Sequence, residues 1–396
     1  MFDMVIQVTK TKSITIGGTK GKHRRSTDVV GIDMYGGDER GFPAVRLAYK
    51  KGSVKVVASG FIPSPGADLP DSWESAVRNP TWLIPSQFQA PHAAFSVSSS
   101  ELFLTQTTLE TAKKDILSGA HQAEEPGTAV KARRFGIKRE AKKPETKKED
   151  DKPAESGIDI STLEPGVPIS NGGTRFVMCP LSGADDFVIE AGMPEYQVLW
   201  LSRLLPEGRR PTVASVQPRL AAFTASILRD PEFLKAGGTG MAIFIDEDNV
   251  ILAGFRNGDL VMWRKCRGIE GARSIRAQLA KGLGISEDML DGILNDNIID
   301  PRPVLESILM PFFDELIVSR DYLAGKLGIA LNTAFISGLD SGISYWNGIA
   351  EDHAQLKFIE CKSFAGIEGH LPEAKDAKVF TCALGAALAL MAEDDE

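Results

Sequence analysis

Residues 29–43 read VVGIDMYGGDERGFP, and the fold depends on how this stretch is interpreted. Val29, Val30 and Ile32 form a short apolar run, which predicts a buried strand that ends at Asp33. The loop behind that aspartate carries glycines at positions 36, 37 and 41. A glycine-bearing loop directly after a strand is either a phosphate cradle, whose backbone N–H groups face an anion, or a surface turn between two strands.

The same order of features occurs a second time in the chain. In the first copy, DVVGID is followed by AVRLAYK, the turn KKGS and VKVVASGFI. In the second copy, MAIFID ends at Asp246 and is followed by EDNVILAGFR, the turn Asn257-Gly258-Asp259 and LVMWRKCRGI. Asn-Gly between alternating apolar runs is a strong hairpin signal. Apolar residues at helical spacing fill the remaining sequence. We therefore predict an α/β protein with two homologous subdomains.

The composition is that of a globular protein with two or three packed units: 396 residues, of which 43% are hydrophobic and 25% charged. A net charge of −8 argues against nucleic acid as the main partner, because nucleic-acid-binding proteins need a basic surface. The four cysteines lie far apart, without a CxxC pair or neighbouring histidines, which argues against a zinc site or a disulfide framework. No apolar run approaches the roughly 18 residues of a membrane span, so we expect a cytoplasmic protein.

Two segments depart from this globular pattern. Residues 1–27 are predicted to be a flexible basic extension. Residues 119–171 lack apolar periodicity, and between Lys131 and Lys152 ten Lys and Arg stand against five Asp and Glu, a local balance of +5. We expect a disordered, solvated insertion, because so little apolar surface cannot offset the entropy of ordering. A basic tether for an acidic surface or anionic lipid is the alternative.

The order of these motifs resembles the actin-like ATPase superfamily and, within it, the PilM family of type IV pilus assembly proteins. The likeness lies in GIDM, the first hairpin, a middle insertion, the second strand–Asp–hairpin, FISGLDSG and CALGAALAL, and covers residues 28–118 and 174–392. The helix at residues 313–320 resembles the Glu-Ile-x-Arg-Ser helix of PilM proteins. FtsA and the cytoplasmic part of the type II secretion L-protein are more distant relatives of this kind.

The resemblance implies an actin-like fold: duplicated ribonuclease-H-like subdomains around a central cleft, with an inserted α/β subdomain. On that basis the first core subdomain is expected at residues 28–90, 206–232 and 376–396. The inserted subdomain is expected at residues 91–205, and the second core subdomain at residues 233–375.

The resemblance also implies a site for ATP and Mg²⁺. Its residues would be Asp33, Gly36, Gly37, Asp246, Gly338, Asp340 and Gly342, with Asp33 organising the metal. The sequence departs from the family pattern there, because Asp38 and Glu39 stand in the first loop and Asp246-Glu247-Asp248-Asn249 has no glycine. Acidic side chains beside a triphosphate oppose its binding unless a cation compensates. We therefore predict a degenerate nucleotide site without a catalytic residue; alternatively, Asp33 and Asp246 are ordinary turn residues at strand ends.

The function that the resemblance implies is a cytoplasmic scaffold of a type IV pilus-like machine. It would bind the N-terminal tail of a PilN-type inner-membrane protein in a groove between the core and the inserted subdomain, with candidate residues within 95–108. Other pilus assembly proteins and a second copy of the chain are further expected partners, and attachment to the inner membrane would come only through the partner. The alternatives are an active ATPase or kinase-like enzyme and an FtsA-like filament, although the acidic ending AEDDE differs from the membrane-binding helix of FtsA proteins.

Overall fold

The computed structural model describes residues 2–3, 18–19, 27–35, 40–50, 53–65, 82–98, 103–118, 163–165, 168–182, 186–205, 211–296, 299–338, 343–374 and 376–392. Most of the predicted N-terminal extension and most of the charged segment 119–171 lie outside these ranges.

The elements follow one another along the chain as the alternating patterns predict. The strands are β1 (Phe2–Asp3), β2 (Gly18–Thr19), β3 (Asp28–Asp33), β4 (Phe42–Lys50), β5 (Ser53–Ile62), β6 (His92–Val97), β7 (Phe103–Thr108), β8 (Ile169–Asn171), β9 (Thr174–Pro180), β10 (Phe187–Pro194), β11 (Thr212–Pro218), β12 (Gly240–Ile245), β13 (Val250–Arg256), β14 (Asp259–Lys265), β15 (Thr333–Ser337), β16 (Lys357–Glu360) and β17 (Glu368–Gly369). The helices are α1 (Leu109–Ser118), α2 (Glu195–Arg203), α3 (Arg219–Ile227), α4 (Pro231–Lys235), α5 (Ala272–Leu283), α6 (Leu290–Asp296), α7 (Arg302–Leu327), α8 (Ile343–Ala354) and α9 (Thr381–Ala392).

The first core sheet has the order β11-β6-β3-β4-β5-β17. Its β3–β4–β5 meander is antiparallel, while β6 pairs parallel with β3 and β11 pairs parallel with β6. Because β3, β6 and β11 run in the same direction, their carboxyl ends lie at the same edge of the sheet. Both faces of β3 are covered, which explains its continuous apolar run.

The second core sheet has the order β14-β13-β12-β15-β16. It repeats the first in its antiparallel meander, β12–β13–β14, and in its parallel pairs, β12 with β15 and β15 with β16. The turn between β13 and β14 has Asn257 and Gly258 at positive φ angles of 55° and 90°, as a two-residue hairpin requires. The repeated strand–Asp–hairpin unit therefore forms equivalent parts of two sheets.

The inserted subdomain is a four-stranded antiparallel sheet in the order β7-β10-β9-β8, with α1 packed on one face. Two predicted boundaries differ from this arrangement. Strand β6 was assigned to the inserted subdomain, but its parallel hydrogen bonds to β3 and β11 place it in the first core sheet. The sequence predicts that the charged segment reaches residue 171. In the structure, residues 169–171 form strand β8, which pairs with β9, and Leu163 is buried against the same sheet.

Glu190 of β10 is a buried carboxyl in the inserted subdomain, on the face that α1 covers. Burial, together with the nearby Asp115 carboxylate, raises the pKa of Glu190 from 4.5 to about 8. The folded state therefore holds a proton that the unfolded chain releases, and the free energy of unfolding falls as pH rises from about 4.5 to about 8. We expect Glu190→Gln to remove this fall and to stabilise the protein by on the order of 2–3 kcal/mol above pH 8.

Urea unfolding of both proteins at a series of pH values checks this prediction. The exposed Glu164, changed to Gln, is the matched control and should leave the pH dependence as it is. Parallel pH profiles for wild type and Glu190→Gln would contradict the assignment of the proton to Glu190.

Candidate functional site

The site lies where the two core sheets meet. Strand β3 ends at Asp33, strand β12 is followed directly by Asp246, and strand β11 is followed directly by Arg219, the first residue of α3. All three residues therefore stand at carboxyl ends of strands, where open α/β sheets place their ligands. The structure brings together Asp33 and Asp246, two of the three predicted carboxylates, although 213 positions separate them in sequence.

A single guanidinium joins these two carboxylates. Arg219 Nη2 lies 3.1 Å from Asp33 Oδ2, and Arg219 Nη1 donates to Asp246 Oδ1. Asp33 is fully buried, Asp246 is 2% exposed and the Arg219 side chain is 12% exposed. Burial lowers the pKa of Arg219, but Asp33, Cys382 and Asp246 raise it, and the net pKa lies well above the ordinary value. The group is therefore a buried, charged Asp–Arg–Asp triad.

Tyr35, Asp248 and Arg273 form a second, more exposed bridge beside the triad. The Tyr35 hydroxyl donates to Asp248 Oδ2, Arg273 Nη2 donates to the Tyr35 oxygen at 3.3 Å, and Arg273 Nη1 lies 3.3 Å from Asp248 Oδ1. Burial and the hydrogen bond to Asp248 raise the pKa of Tyr35 well above its ordinary value. Tyr35 follows β3, whereas Asp248 and Arg273 belong to the second core subdomain, so this bridge also joins the two halves.

Residues 246–249 form a tight turn that occupies the amino end of α5. Asp246 N donates to Asn249 O at 2.8 Å, and the first helical N–H groups, those of Ala272 and Arg273, donate to the carbonyls of Asp246 and Glu247. Gly271 is required there, because an added Cβ would lie 2.2 Å from Asp246 O. Two of the N–H groups that such a helix end offers to an anion are thus already used within the protein.

The resemblance places Gly338 in the ATP site, and the structure supplies another reason for a glycine at this position. The residue has a φ of +94°, and an added Cβ would lie 1.9 Å from Ile245 O. Close approach of the β15 end to β12 therefore requires glycine here, whether or not a ligand binds. Gly36, Gly37, Asp340 and Gly342 lie outside the described residues.

The arrangement at Asp33 does not fit a Mg²⁺ ion with bound nucleotide. A metal at this place needs carboxylate oxygens and room for several waters, but the guanidinium of Arg219 fills the space between Asp33 and Asp246. In the described part of the chain, no group of three or more His, Cys, Asp or Glu side chains is placed to hold a metal ion.

Arg219 is a residue of this site that the sequence patterns did not predict. It lies in QPRLAAFTASIL, which reads as the start of an amphipathic helix, and nothing in that pattern marks an arginine that turns inward. Its position directly behind a strand was the available signal, because Asp33 and Asp246 were selected by the same criterion.

Comparison with known proteins identifies the fold through solved structures and not through sequence matches. No protein-family model and no curated sequence matches the chain significantly. Among solved structures, the chain is similar to a PilM–PilN type IV pilus biogenesis complex, with a TM-score of 0.54 and 12% sequence identity over 93% of this chain and 99% of that chain. A Bacteroides thetaiotaomicron protein with an actin-like ATPase fold and unknown function matches over 86% of this chain and 94% of its own, with 9% identity and a TM-score of 0.38.

The apo form of pSK41 ParM is also similar, with a TM-score of 0.32 and 8% identity over 92% of this chain and 96% of that one. At such low identities the likeness is one of fold. Within the described ranges, no helix is both long and apolar enough to cross a membrane.

The structural comparison gives the chain the actin-like ATPase fold that its sequence predicted, and its fold resembles that of PilM over nearly the whole length of both proteins.

Proposed function

We propose that the protein is a PilM-like scaffold of a type IV pilus-like assembly machine, which binds the N-terminal tail of a PilN-type inner-membrane protein. One observation carries this proposal: the fold follows that of the PilM–PilN complex across 93% of this chain and 99% of that one. In this proposal the protein works at the cytoplasmic face of the inner membrane and is attached there through its partner. Other pilus assembly proteins and a second copy of the chain are further partners.

The Asp–Arg–Asp triad favours a scaffold over an active ATPase. An ATPase of this fold would need its phosphate loops open to Mg²⁺ and nucleotide, whereas here both loop aspartates bind Arg219. Actin-like folds carry many unrelated functions, so the site has to decide between them. A site whose two loop aspartates are already paired with an arginine favours a scaffolding role over catalytic turnover.

A groove between the inserted subdomain and the second core subdomain is the proposed place for the tail. It has a volume of about 1270 Å³ and lies between the outermost strand of each sheet, β7 and β14. Of the predicted stretch 95–108, Phe95 is wrong as a groove residue, because it is fully buried in β6 in the middle of the first sheet. Leu104, Thr105 and Gln106 of β7 do line the groove.

The two strand edges make this groove suited to an extended peptide, because an edge strand offers backbone groups to an added strand. At one point the edges are already bridged, since the Trp263 backbone N–H donates to Gln106 Oε1 at 3.2 Å. The Trp263 side chain is 4% exposed, and its indole Nε1 has no hydrogen-bond partner among the described residues. A buried donor without a partner costs stability, but this indole is covered, so the backbone edges and the exposed side chains of the groove are what a peptide can contact.

The groove also offers apolar anchors and cations. Phe187 is 43% exposed and Tyr322 is 56% exposed, and both line the groove together with Lys265 and Arg267. Exposed aromatic side chains of this kind commonly carry much of the binding energy of an interface. We therefore expect a tail with alternating apolar residues to bind in extended form, its apolar side chains against Phe187 and Tyr322.

Titration of the purified full-length chain with a synthetic N-terminal peptide of a PilN-type protein from the same genome tests the proposal. We expect saturable binding that Phe187→Asp weakens by roughly 10- to 100-fold, because loss of one buried aromatic contact costs about 1.5–3 kcal/mol. The matched control is Leu234→Asp, which changes a residue that is 54% exposed and does not line the groove, and should leave the affinity as it is.

The possible results test the proposed function and the proposed binding groove separately. If the wild-type chain fails to bind the peptide, the proposed function is contradicted. If the peptide binds but Phe187→Asp and Leu234→Asp both behave as wild type, the function is retained and the groove is rejected as its site.

A further inference from the structure

We infer that Arg219 is a built-in cation that takes the place of a nucleotide-bound metal in the cleft and holds the two core subdomains together without nucleotide. This inference goes beyond the proposed scaffold function, because it concerns how the cleft is kept closed and does not depend on which partner binds. It rests on the contacts of one side chain and on the charges that surround it.

The geometry gives Arg219 contacts on both sides of the cleft. Asp33 ends the central strand of the first sheet, Asp246 follows the central strand of the second, and each carboxylate contacts a different terminal nitrogen of the same guanidinium. A planar guanidinium with several donors can bridge two carboxylates in this way, as a divalent metal does in other proteins. Separation of the two subdomains would have to break at least one of these buried ion pairs.

Aromatic rings fix the guanidinium in this place. Arg219 Cζ lies 5.4 Å from the centre of the Tyr35 ring and 5.7 Å from that of the Phe244 ring, distances at which a cation is attracted to a ring face. Tyr35 is held in turn by Asp248 of the opposite subdomain. The cation therefore lies between rings from both halves of the molecule as well as between two carboxylates.

The charge balance explains why nucleotide would be excluded. Arg219 carries one positive charge against the two negative charges of Asp33 and Asp246, while the charge of Asp248 beside them is offset by its ion pair with Arg273. Phosphate oxygens entering the cleft would displace the only cation within the triad and then face these carboxylates. At the start of α5, the N–H groups of Ala272 and Arg273 already bind the turn at residues 246–249 and are not free for phosphate.

Thermal unfolding with and without millimolar Mg²⁺, read by near-ultraviolet circular dichroism, tests the inference. We expect the midpoint of the wild-type chain to be independent of Mg²⁺. In Arg219→Ala, two buried carboxylates face each other without a cation, and we expect Mg²⁺ to raise the midpoint by about 5 °C. Arg219→Ala combined with Asp246→Asn should lose this response, and Arg229→Ala, at an exposed arginine just beyond the same helix, should behave as wild type.

A titration of the wild-type chain with fluorescent ATP and Mg²⁺ provides a second test, which does not depend on any variant being folded. We expect no saturable binding up to millimolar nucleotide. Micromolar binding would overturn the inference, because Arg219 would then have to leave the triad. It would also be overturned if Arg219→Ala were folded and showed no response to Mg²⁺.

Discussion

Replacement of Arg219 by alanine is expected to lower the free energy of unfolding by about 3–5 kcal/mol, the usual cost of breaking a buried ion pair by removing one partner. The physical reason is the desolvation of Asp33 and Asp246, which are 0% and 2% exposed and would lose the cation that offsets their burial. Urea unfolding in metal-free buffer, followed by circular dichroism, measures the change. A loss of less than 1 kcal/mol would show that the triad carries no net stabilisation of the native state.

A triple variant distinguishes loss of charge balance from loss of side-chain packing. In Arg219→Met with Asp33→Asn and Asp246→Asn, all three charges are removed while the side-chain volumes stay similar. Since removal of a whole buried ionic group is often close to neutral, we expect most of the stability of the wild-type chain to return. If the triple variant were as unstable as Arg219→Ala, packing around the guanidinium would be the larger contribution.

Gly385→Val is expected to destabilise the protein by more than about 4 kcal/mol or to prevent folding, because backbone atoms cannot move aside for a side chain. Gly385 lies in α9, and an added Cβ would be 1.7 Å from Ala222 O of α3. On the other side of α9, Gly31 of β3 allows similar contact, since a Cβ there would be 1.9 Å from Ala383 O. Helix α9 is therefore held directly between β3 and α3.

Gly325→Val is the matched control for this change. Gly325 is also a helical glycine, in α7, but an added Cβ there would meet nothing within 4 Å. We expect its midpoint of urea unfolding to stay close to that of the wild-type chain. Equal behaviour of the two variants would contradict the close packing of α9 on α3.

The position of α9 also bears on the site. Helix α3 begins at Arg219, so a shift of α3 away from α9 would move the guanidinium relative to Asp33. A smaller change, Gly385→Ala, should therefore reduce both stability and the closure of the cleft. The buried triad and the closely packed helices α3 and α9 lie next to each other in the core, which suits the proposed role as a platform for a peptide partner.

Several features of the fold follow from local sequence alone. The apolar runs of β3 and β12, each ending at an aspartate, predicted buried strands, and the Asn257-Gly258 turn predicted the hairpin between β13 and β14; the structure confirms both. These signals are local because period-two patterning and turn chemistry act over a few residues. Their duplication predicted two homologous subdomains, and the resemblance of the motif order to PilM proteins implied the actin-like fold, which the similarity to the PilM–PilN structure confirms.

Local sequence patterns were therefore enough to predict the α/β class, the repeated unit and an aspartate at the end of each central strand. Three features emerge only in the folded chain: β6 belongs to the first sheet, Arg219 turns inward to join Asp33 and Asp246, and β7 and β14 border a common groove. The physical reason is the same in each case. Strand pairing, buried ion pairs and grooves depend on which distant residues become neighbours, and a local pattern such as QPRLAAF carries no record of the carboxylates that its arginine will meet.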